Sequence, residues 1–156
     1  MNKEAICCPK FDPSKWDDIT FEWTDKHFIM DKINTIFYMP IGFGKVMTKL
    51  NKQIDDSQAV CVDALCLSVH RSKWHMDVMM AVDKQLEGAN NITLSGKYYS
   101  RVYEGPFQDM GKWLSDFDLF MKNKKMECQE IYTWYTTCPK CAKKYGHNYV
   151  VIIAKL

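Results

Sequence analysis

The fold is decided by one stretch of sequence, Leu94-Ser95-Gly96-Lys97-Tyr98-Tyr99-Ser100-Arg101-Val102-Tyr103-Glu104-Gly105-Pro106-Phe107. It begins with the aromatic and β-branched residues that are typical of a strand. It ends at Glu104-Gly105-Pro106, which indicates a helix start, because proline is tolerated in a first turn, where its missing N–H is not needed. Apolar residues then recur at helical spacing, at Met110, Leu114, Phe117 and Met121. Glu104 is therefore predicted to lie where a strand passes into a helix.

Composition indicates a folded chain of ordinary charge. Its 156 residues suggest one domain, and 47% of them are hydrophobic, which is enough for a packed core. The formal net charge of +2 does not indicate a nucleic-acid partner. No apolar run approaches the roughly 18–20 residues of a membrane span, and the first residues do not resemble a signal peptide. We therefore expect a cytoplasmic protein with no nucleic-acid and no membrane partner.

The first half of the chain predicts an N-terminal arm followed by strand, helix, strand and strand. Residues 1–27 form the arm, with a short strand near 20–23 and aromatic side chains that are expected to lie against the main body. The first repeat, 28–86, begins with a strand over 28–39 and ends with strands over 60–69 and 77–83. Between them, a helix is predicted from an apolar face made of Phe43, Val46, Met47, Leu50 and Ile54.

The same order of elements recurs in the second repeat, residues 92–156, after a loop at 87–91. We predict a strand over 93–104, a helix over 107–123, and strands over 128–137 and 148–154. Both halves place a proline after the first strand, which aligns Tyr38 with Glu104. The predicted fold is thus α+β, a single domain over 1–156. Its two strand–helix–strand–strand repeats form a curved antiparallel sheet assembly with two main helices and a ligand groove between the halves.

Glu104 is the leading candidate for chemistry. In one interpretation it is a surface carboxylate, favoured by the partial positive charge at a helix N-terminus. In the other it faces a concave aromatic site, where it pairs with a cationic ligand or positions and deprotonates a water molecule.

Aromatic residues are the second candidate feature. Tyr98 and Glu104 share a strand face because their offset is even, and Tyr132 and Trp134 share one for the same reason. Several rings beside one acid are typical of a cage for a flat or cationic small molecule. Core packing is the alternative interpretation for each ring. The cage candidates are Tyr38, Trp74, Tyr98, Tyr132 and Trp134.

The seven cysteines include one Cys-x-x-Cys pair, Cys138 and Cys141. This spacing suits a structural zinc site, for which Cys7, Cys8 or His147 are possible further ligands. A redox role needs a βαβ context that the sequence does not predict. Because the chain is expected in the cytoplasm, reduced thiols are the favoured alternative.

The order of elements and the segment Val102-Tyr103-Glu104-Gly105-Pro106-Phe107 resemble the GyrI-like small-molecule-binding domain, which also serves as the drug-sensing half of some transcription regulators. A narrower branch is resembled more closely. The segments that resemble it are Cys7-Cys8, Phe11-Asp12-Pro13, Trp23-Thr24-Asp25-Lys26, Ser72-Lys73-Trp74, Leu94-Ser95-Gly96 and Thr136-Thr137-Cys138-Pro139-Lys140-Cys141-Ala142-Lys143-Lys144-Tyr145-Gly146-His147-Asn148-Tyr149. That branch includes the cyclopropanoid cyclopropyl hydrolases, which use an aromatic cage to open the strained cyclopropane of DNA-alkylating natural products.

The resemblance implies a hydrolytic or drug-binding role and puts Glu104 in the family's acidic position before Gly-Pro. It implies Trp74, Tyr132 and Trp134 as cage residues, with Trp113 a further candidate that also fits the core. We therefore predict a xenobiotic-binding protein that hydrolyses the activated cyclopropane of planar aromatic compounds, with Glu104 activating water and no required cofactor. The alternatives are a non-catalytic drug-binding module and a zinc-stapled interaction domain.

Overall fold

The computed structural model describes residues 11–136 and 143–156, apart from the side chain of Phe107. These residues form antiparallel strands and two main helices, so the predicted α+β class is confirmed. Short 3-10 helices lie at Pro13–Lys15 and Phe107–Asp109. The main elements are β1 (Ile19–Ile36), β2 (Met39–Pro40), α1 (Phe43–Asp56), β3 (Cys61–His70), β4 (His75–Val82), β5 (Asn91–Glu104), α2 (Met110–Asn123), β6 (Glu130–Tyr135) and β7 (Tyr149–Lys155).

One compact unit, which we call the first unit, comprises Glu22–Gly96. Its strands lie in the order β2-β1-β4-β3, and their pairings are antiparallel. Helix α1 buries Leu50 and Ile54 against the sheet, and Phe43, Val46 and Met47 pack at the edge of the same core, so its predicted apolar face is confirmed. The buried sheet residues of this core are Ile29, Ile33, Met76, Val78, Met80 and Val82.

The other compact unit, the second unit, comprises Met1–Phe21 and Lys97–Leu156. Its strands lie in the order β6-β7-β5, again antiparallel. Helix α2 packs Trp113, Phe117 and Met121 against the sheet. The sheet residues beneath it are Tyr99, Val150, Ile152 and Ala154.

Of the predicted N-terminal arm, the described residues up to Phe21 belong to the second unit, whereas residues 22–27 belong to the first. The hydroxyl of Ser100 donates to the backbone oxygen of Trp16 at 2.6 Å, and the backbone N–H of Val102 donates to Asp17 Oδ1 at 3.1 Å. The phenol of Tyr99 donates to Asp18 Oδ1 at 2.5 Å. These bonds hold the arm along β5.

Two details of the predicted elements are wrong. The strands expected near 20–23 and over 28–39 are one strand, β1, which ends at Ile36. On α2, Leu114 was placed in the apolar stripe but is exposed, and Trp113 is buried in its stead. Around the helix, Trp113 lies about 40° from Phe117 on one side and Leu114 about 60° from it on the other, so the buried face of α2 extends toward Trp113.

The predicted alignment of Tyr38 with Glu104 also fails in its details. Glu104 ends a strand, whereas Tyr38 follows the end of β1 in a two-residue turn, with φ of +71°. Pro40 belongs to β2, and α1 begins only after Gly42. The first half therefore has the order strand, strand, helix, strand, strand, with β2 added to the predicted order. The description of two repeats with a groove between them stays a prediction.

Candidate functional site

Glu104 is the last residue of β5, and its position is set by β7. Its partner in the β5–β7 register is Tyr149. Immediately beyond it, the backbone N–H of Gly105 donates to the backbone oxygen of Asn148 at 3.1 Å. The Asn148 side-chain amide donates back to the Gly105 oxygen at 2.9 Å. This pair of hydrogen bonds fixes the end of β5 on the beginning of β7.

Gly105 makes the turn from β5 toward α2. Its φ of +140° is a conformation that residues with a side chain rarely adopt. A Cβ at this position would lie 3.4 Å from Cζ2 of Trp113, on the first turn of α2. Glycine therefore permits both the backbone angle and the close approach of the indole, and Pro106 follows directly before the 3-10 helix that leads into α2.

Four aromatic side chains form a cluster at the sheet face that carries Glu104. They are Trp134 and Tyr149 of the strands, His147 just before β7, and Phe11 of the arm. The ring centroids of His147 and Tyr149 are 4.7 Å apart. Phe11 of the arm lies 5.7 Å from Tyr149 and 5.3 Å from Trp134. Since residues facing each other in an antiparallel pair point to the same side, Glu104 and Tyr149 share this face. We call these five residues the acid–ring cluster.

Two polar groups of the acid–ring cluster have no partner among the described residues. The indole N–H of Trp134 is buried, since the residue is only 3% exposed, and it donates to no acceptor in the described part of the chain. The carboxylate of Glu104 is exposed and makes no hydrogen bond or ion pair with residues 11–136 or 143–156. A buried donor without an acceptor is costly. The cluster therefore offers an N–H donor and a carboxylate that no cation of the described residues neutralises, beside flat rings.

The strand register separates the predicted ring residues from one another. Trp134 lies level with Val102, two residues from Glu104, or about 7 Å along the strand. Tyr132 lies about 13 Å and Tyr98 about 20 Å from Glu104 along the same direction. Of the predicted cage residues of the second unit, Trp134 is thus the one that joins Glu104 in the acid–ring cluster.

Tyr98 and Tyr132 belong to the opposite end of the same sheet face, where they are buried. Tyr98 stacks on Phe21 with centroids 5.7 Å apart, and its centroid is 6.4 Å from that of Tyr132. The Tyr132 hydroxyl donates to Glu130 Oε2 at 3.0 Å. Burial, with a smaller contribution from the Glu130 charge, raises the pKa of Tyr98. Glu130 is thus a second carboxylate beside two phenols.

The other two predicted cage residues, Tyr38 and Trp74, belong to the first unit and are half exposed. Tyr38 meets His70 edge to face at 5.4 Å, and Trp74 lies 5.2 Å from Phe37. Trp113, the further candidate, is buried in the core under α2 and stacks on Tyr103 at 5.8 Å. These contacts explain Trp113 as a packing residue.

His147, Tyr149 and Phe11 were not predicted as rings of the ligand site, and His147 was considered only as a possible zinc ligand. The register that sets Tyr149 beside Glu104 joins residues about 45 positions apart in the chain, and His147 then contacts Tyr149. Glu130 was also missed, although it shares the even spacing of Tyr132 and Trp134.

The predicted zinc ligands Cys138 and Cys141 lie outside the described residues, as do Cys7 and Cys8. Within residues 11–136 and 143–156, no group of three or more His, Cys, Asp or Glu side chains is arranged to hold a metal ion. The zinc site stays a prediction. In the same residues, no helix is both long and apolar enough to cross a membrane.

All 156 residues of the chain match a family model described as bacterial hydrolase, and the chain therefore belongs to that family. No curated protein matches the sequence.

Solved structures share the fold at low sequence identity. An uncharacterized conserved protein from Listeria innocua has a TM-score of 0.64 at 10% identity, covering 88% of this chain and 91% of that one. A hydrolase from Listeria innocua has a TM-score of 0.61 at 9% identity, covering 89% and 91%. SAV2435, solved bound to tetraphenylphosphonium, has a TM-score of 0.50 at 13% identity, covering 89% and 94%.

Proposed function

We propose that this protein binds planar aromatic or cationic small molecules at the acid–ring cluster and hydrolyses those that carry an activated cyclopropane. The bacterial hydrolase family supports hydrolysis as the reaction class. The fold neighbour SAV2435 binds tetraphenylphosphonium, a cation surrounded by phenyl rings, which supports the ligand class. The cyclopropane as the bond that is cleaved rests on the sequence resemblance described above.

The observation that carries the proposal is the exposed carboxylate of Glu104, which has no hydrogen-bond or ion-pair partner within residues 11–136 and 143–156 and shares a sheet face with Tyr149. A carboxylate next to ring faces attracts a cation, because the rings present their negative faces to it as well. The same carboxylate, reached by water, can accept a proton from that water. The buried Nε1 of Trp134 gains an acceptor if a ligand oxygen or ring face approaches it.

The proposed reaction adds one water molecule to the strained ring. Glu104 accepts a proton from water while the water oxygen bonds to the cyclopropane methylene carbon. The carbon–carbon bond to that methylene breaks, and its electron pair moves through the conjugated system to the carbonyl oxygen, which becomes a phenolate. A phenol such as Tyr149 donates a hydrogen bond to this developing negative charge. Transfer of the proton from Glu104 to the phenolate, directly or through solvent, restores the carboxylate.

The decisive experiment compares Glu104→Gln with wild type on a planar cyclopropane-containing alkylator, following the ring-opened product by chromatography. Loss of the general base is expected to lower kcat/KM by about 10²–10⁴-fold. Glu127→Gln, which removes another exposed carboxylate, is the matched control and is expected to react at the wild-type rate. Normal turnover by Glu104→Gln would remove this acid from the mechanism.

The second candidate function is binding without reaction, which the ligand of SAV2435 favours. Two measurements distinguish a binding protein from a hydrolase: titration with tetraphenylphosphonium, monitored by tryptophan fluorescence, and recovery of the alkylator after incubation. A binding protein is expected to bind the cation with an affinity that Glu104→Gln weakens, while the alkylator is recovered unchanged. Product formation would identify the hydrolase instead.

A further inference from the structure

The first unit exposes six large apolar side chains at one place, the hairpin between β1 and β2 and the turn between β3 and β4. Phe37 is 63% exposed and Met39 is 70% exposed, although both belong to residue types that are mostly buried. We call this patch the apolar tip. Its members are Ile36, Phe37, Tyr38, Met39, Ile41 and Trp74.

The apolar tip is held in place by backbone hydrogen bonds between the two turns. The backbone N–H of Thr35 donates to the Trp74 oxygen at 2.8 Å, and that of Tyr38 donates to the Lys73 oxygen at 3.0 Å. The Thr35 hydroxyl adds a third bond, to the Lys73 oxygen at 2.7 Å. The exposed side chains therefore stand on a fixed backbone rather than on a loose loop.

The backbone of the tip is strained. Ile36 pairs with Met39, so the turn has only two residues, and both have positive φ, +46° at Phe37 and +71° at Tyr38. Two-residue hairpin turns of this kind favour Asn-Gly, and bulky aromatic residues are rare in them. Strain of this sort is commonly found where the side chain has a function. Here it keeps two aromatic side chains at the end of the hairpin.

The surroundings of the tip are basic. The sequence has no Asp or Glu between Lys32 and Ile54, or between His70 and Met76. The ammonium of Lys73 lies 5.8 Å from the Phe37 ring centroid, and Lys45 stands in the first turn of α1, just after Ile41. Within the described residues, neither lysine forms an ion pair. Other cations near the tip are already paired, as Lys49 is with Asp31 and Arg71 with Asp77.

We propose that the apolar tip docks on an anionic lipid bilayer, with its apolar side chains in the headgroup boundary and Lys45 and Lys73 against lipid phosphates. Trp, Tyr and Phe with flanking lysines are the residues that favour a membrane–water interface. The expectation of no membrane partner rested on the lack of a spanning segment, and docking of a hairpin needs none. The proposal also assigns Tyr38 and Trp74 to a membrane-docking surface rather than to the ligand cage.

A second copy of the chain fits the tip less well than a bilayer does. A stable protein–protein interface uses about 20–30 residues on each side, and the tip has six. A symmetric contact would also bring the lysines of one copy toward those of the other, and like charges repel. A bilayer with anionic headgroups has neither difficulty.

The experiment is flotation of the full chain with phosphatidylcholine–phosphatidylglycerol vesicles. The double variant Phe37→Asn/Met39→Ser removes two inserted side chains, and asparagine is tolerated at the positive φ of position 37. We expect its partition coefficient to fall by at least about tenfold, from the transfer of apolar area alone. Leu119→Asn, which removes an equally exposed apolar residue from α2, is expected to bind as wild type does.

The charge contribution is tested separately with Lys45→Gln and Lys73→Gln. Each is expected to weaken binding to the anionic vesicles by about fivefold and to leave binding to pure phosphatidylcholine unchanged. Circular dichroism establishes that each variant is folded. The proposal is overturned if the wild type does not float with anionic vesicles, or if Phe37→Asn/Met39→Ser floats equally well. It is also overturned if sedimentation shows a dimer that this variant dissociates, because the occupant is then a second copy.

Discussion

The segments around Tyr38–Pro40 and Glu104–Pro106 carry the same proline spacing but differ in structure. At Glu104 the strand ends, and a glycine at φ +140° turns the chain into a 3-10 helix and α2. At Tyr38 the strand has already ended, and a two-residue turn leads to β2 before α1 begins. A proline after a strand therefore indicates that the chain changes direction, but it does not specify whether a helix or a hairpin follows.

What distinguishes the two places is how each is held. Gly105 is fixed by two hydrogen bonds with Asn148, the residue before β7: its backbone N–H donates to the Asn148 oxygen, and the Asn148 side-chain amide donates to the Gly105 oxygen. The Tyr38 turn is fixed by the turn before β4, through Lys73. The first arrangement presents a carboxylate, and the second presents apolar rings. The following predictions test this contrast.

The largest effect is expected at Gly105. Gly105→Ala forces a side chain into a conformation that essentially only glycine adopts, beside Trp113, and should lower the free energy of unfolding by about 1–3 kcal/mol. Gly42→Ala is the matched variant. Gly42 has a φ of +72°, and no atom lies within 4 Å of a Cβ added there. We expect this substitution to lower the free energy of unfolding by about 1 kcal/mol. Urea denaturation measures both.

The two glycine variants also separate stability from chemistry. Gly105→Ala is expected to reduce turnover by the folded protein, because Glu104 is adjacent to the strained residue. Gly42→Ala is expected to leave turnover unchanged. Equal effects of the two variants on both stability and turnover would contradict the contrast between the two places.

A smaller effect is expected at Asp18, which holds the arm to β5. The hydrogen bond from Tyr99 lowers the pKa of Asp18 below its ordinary value near 3.8. The folded state therefore favours the ionised form of Asp18. The resulting stabilisation is fully present above about pH 3.8, and it is lost as the pH falls through the lower pKa that Asp18 has in the folded protein. Because the Asp18 side chain is half exposed, the contribution is about 1 kcal/mol or less.

The measurement is the urea midpoint as a function of pH below about 5, where ordinary carboxyl groups begin to titrate. Asp18→Asn keeps the positive φ of +54° that asparagine tolerates, and it should flatten the acid end of the curve. Tyr99→Phe should flatten it similarly, and the double variant should add little beyond either single one. Fully additive effects would mean that the two groups act independently.

The smallest change in the free energy of unfolding is expected at the hairpin between β1 and β2, where we expect an increase rather than a decrease. Phe37→Asn relieves the cost of a bulky residue at positive φ and loses little packing, since Phe37 is largely exposed. We expect the free energy of unfolding to rise by a few tenths of a kcal/mol, up to about 1 kcal/mol. A clear loss of stability on thermal denaturation would show that the Phe37 ring supports the fold.

Periodicity and turn chemistry predicted most of the elements. The apolar face of α1 and the strand that ends at Glu104 follow from local spacing, and the structure has both. The hairpin at Phe37–Tyr38 could not be predicted in this way, because its turn has none of the glycine or asparagine that usually marks one. β1 was therefore extended through the turn to residue 39.

The candidate site was predicted less completely than the fold. Glu104 was placed at the end of its strand by local signals. Tyr149 is its neighbour through the β5–β7 register, which depends on pairing between distant segments, and His147 contacts Tyr149. The same register puts Tyr98 about 20 Å away along the strand, although its even offset from Glu104 suggested a shared pocket.

The clamp of Asn148 on Gly105 has a consequence for engineering substrate range. Asn148 and Gly105 hold the backbone that presents the acid, so a library that varies them would mostly yield displaced carboxylates. His147 and Tyr149 flank the same clamp but contribute rings rather than backbone restraint. If the proposed function holds, randomising those two positions, with 105 and 148 kept, is expected to change which ligands bind while the backbone at Glu104 stays in place.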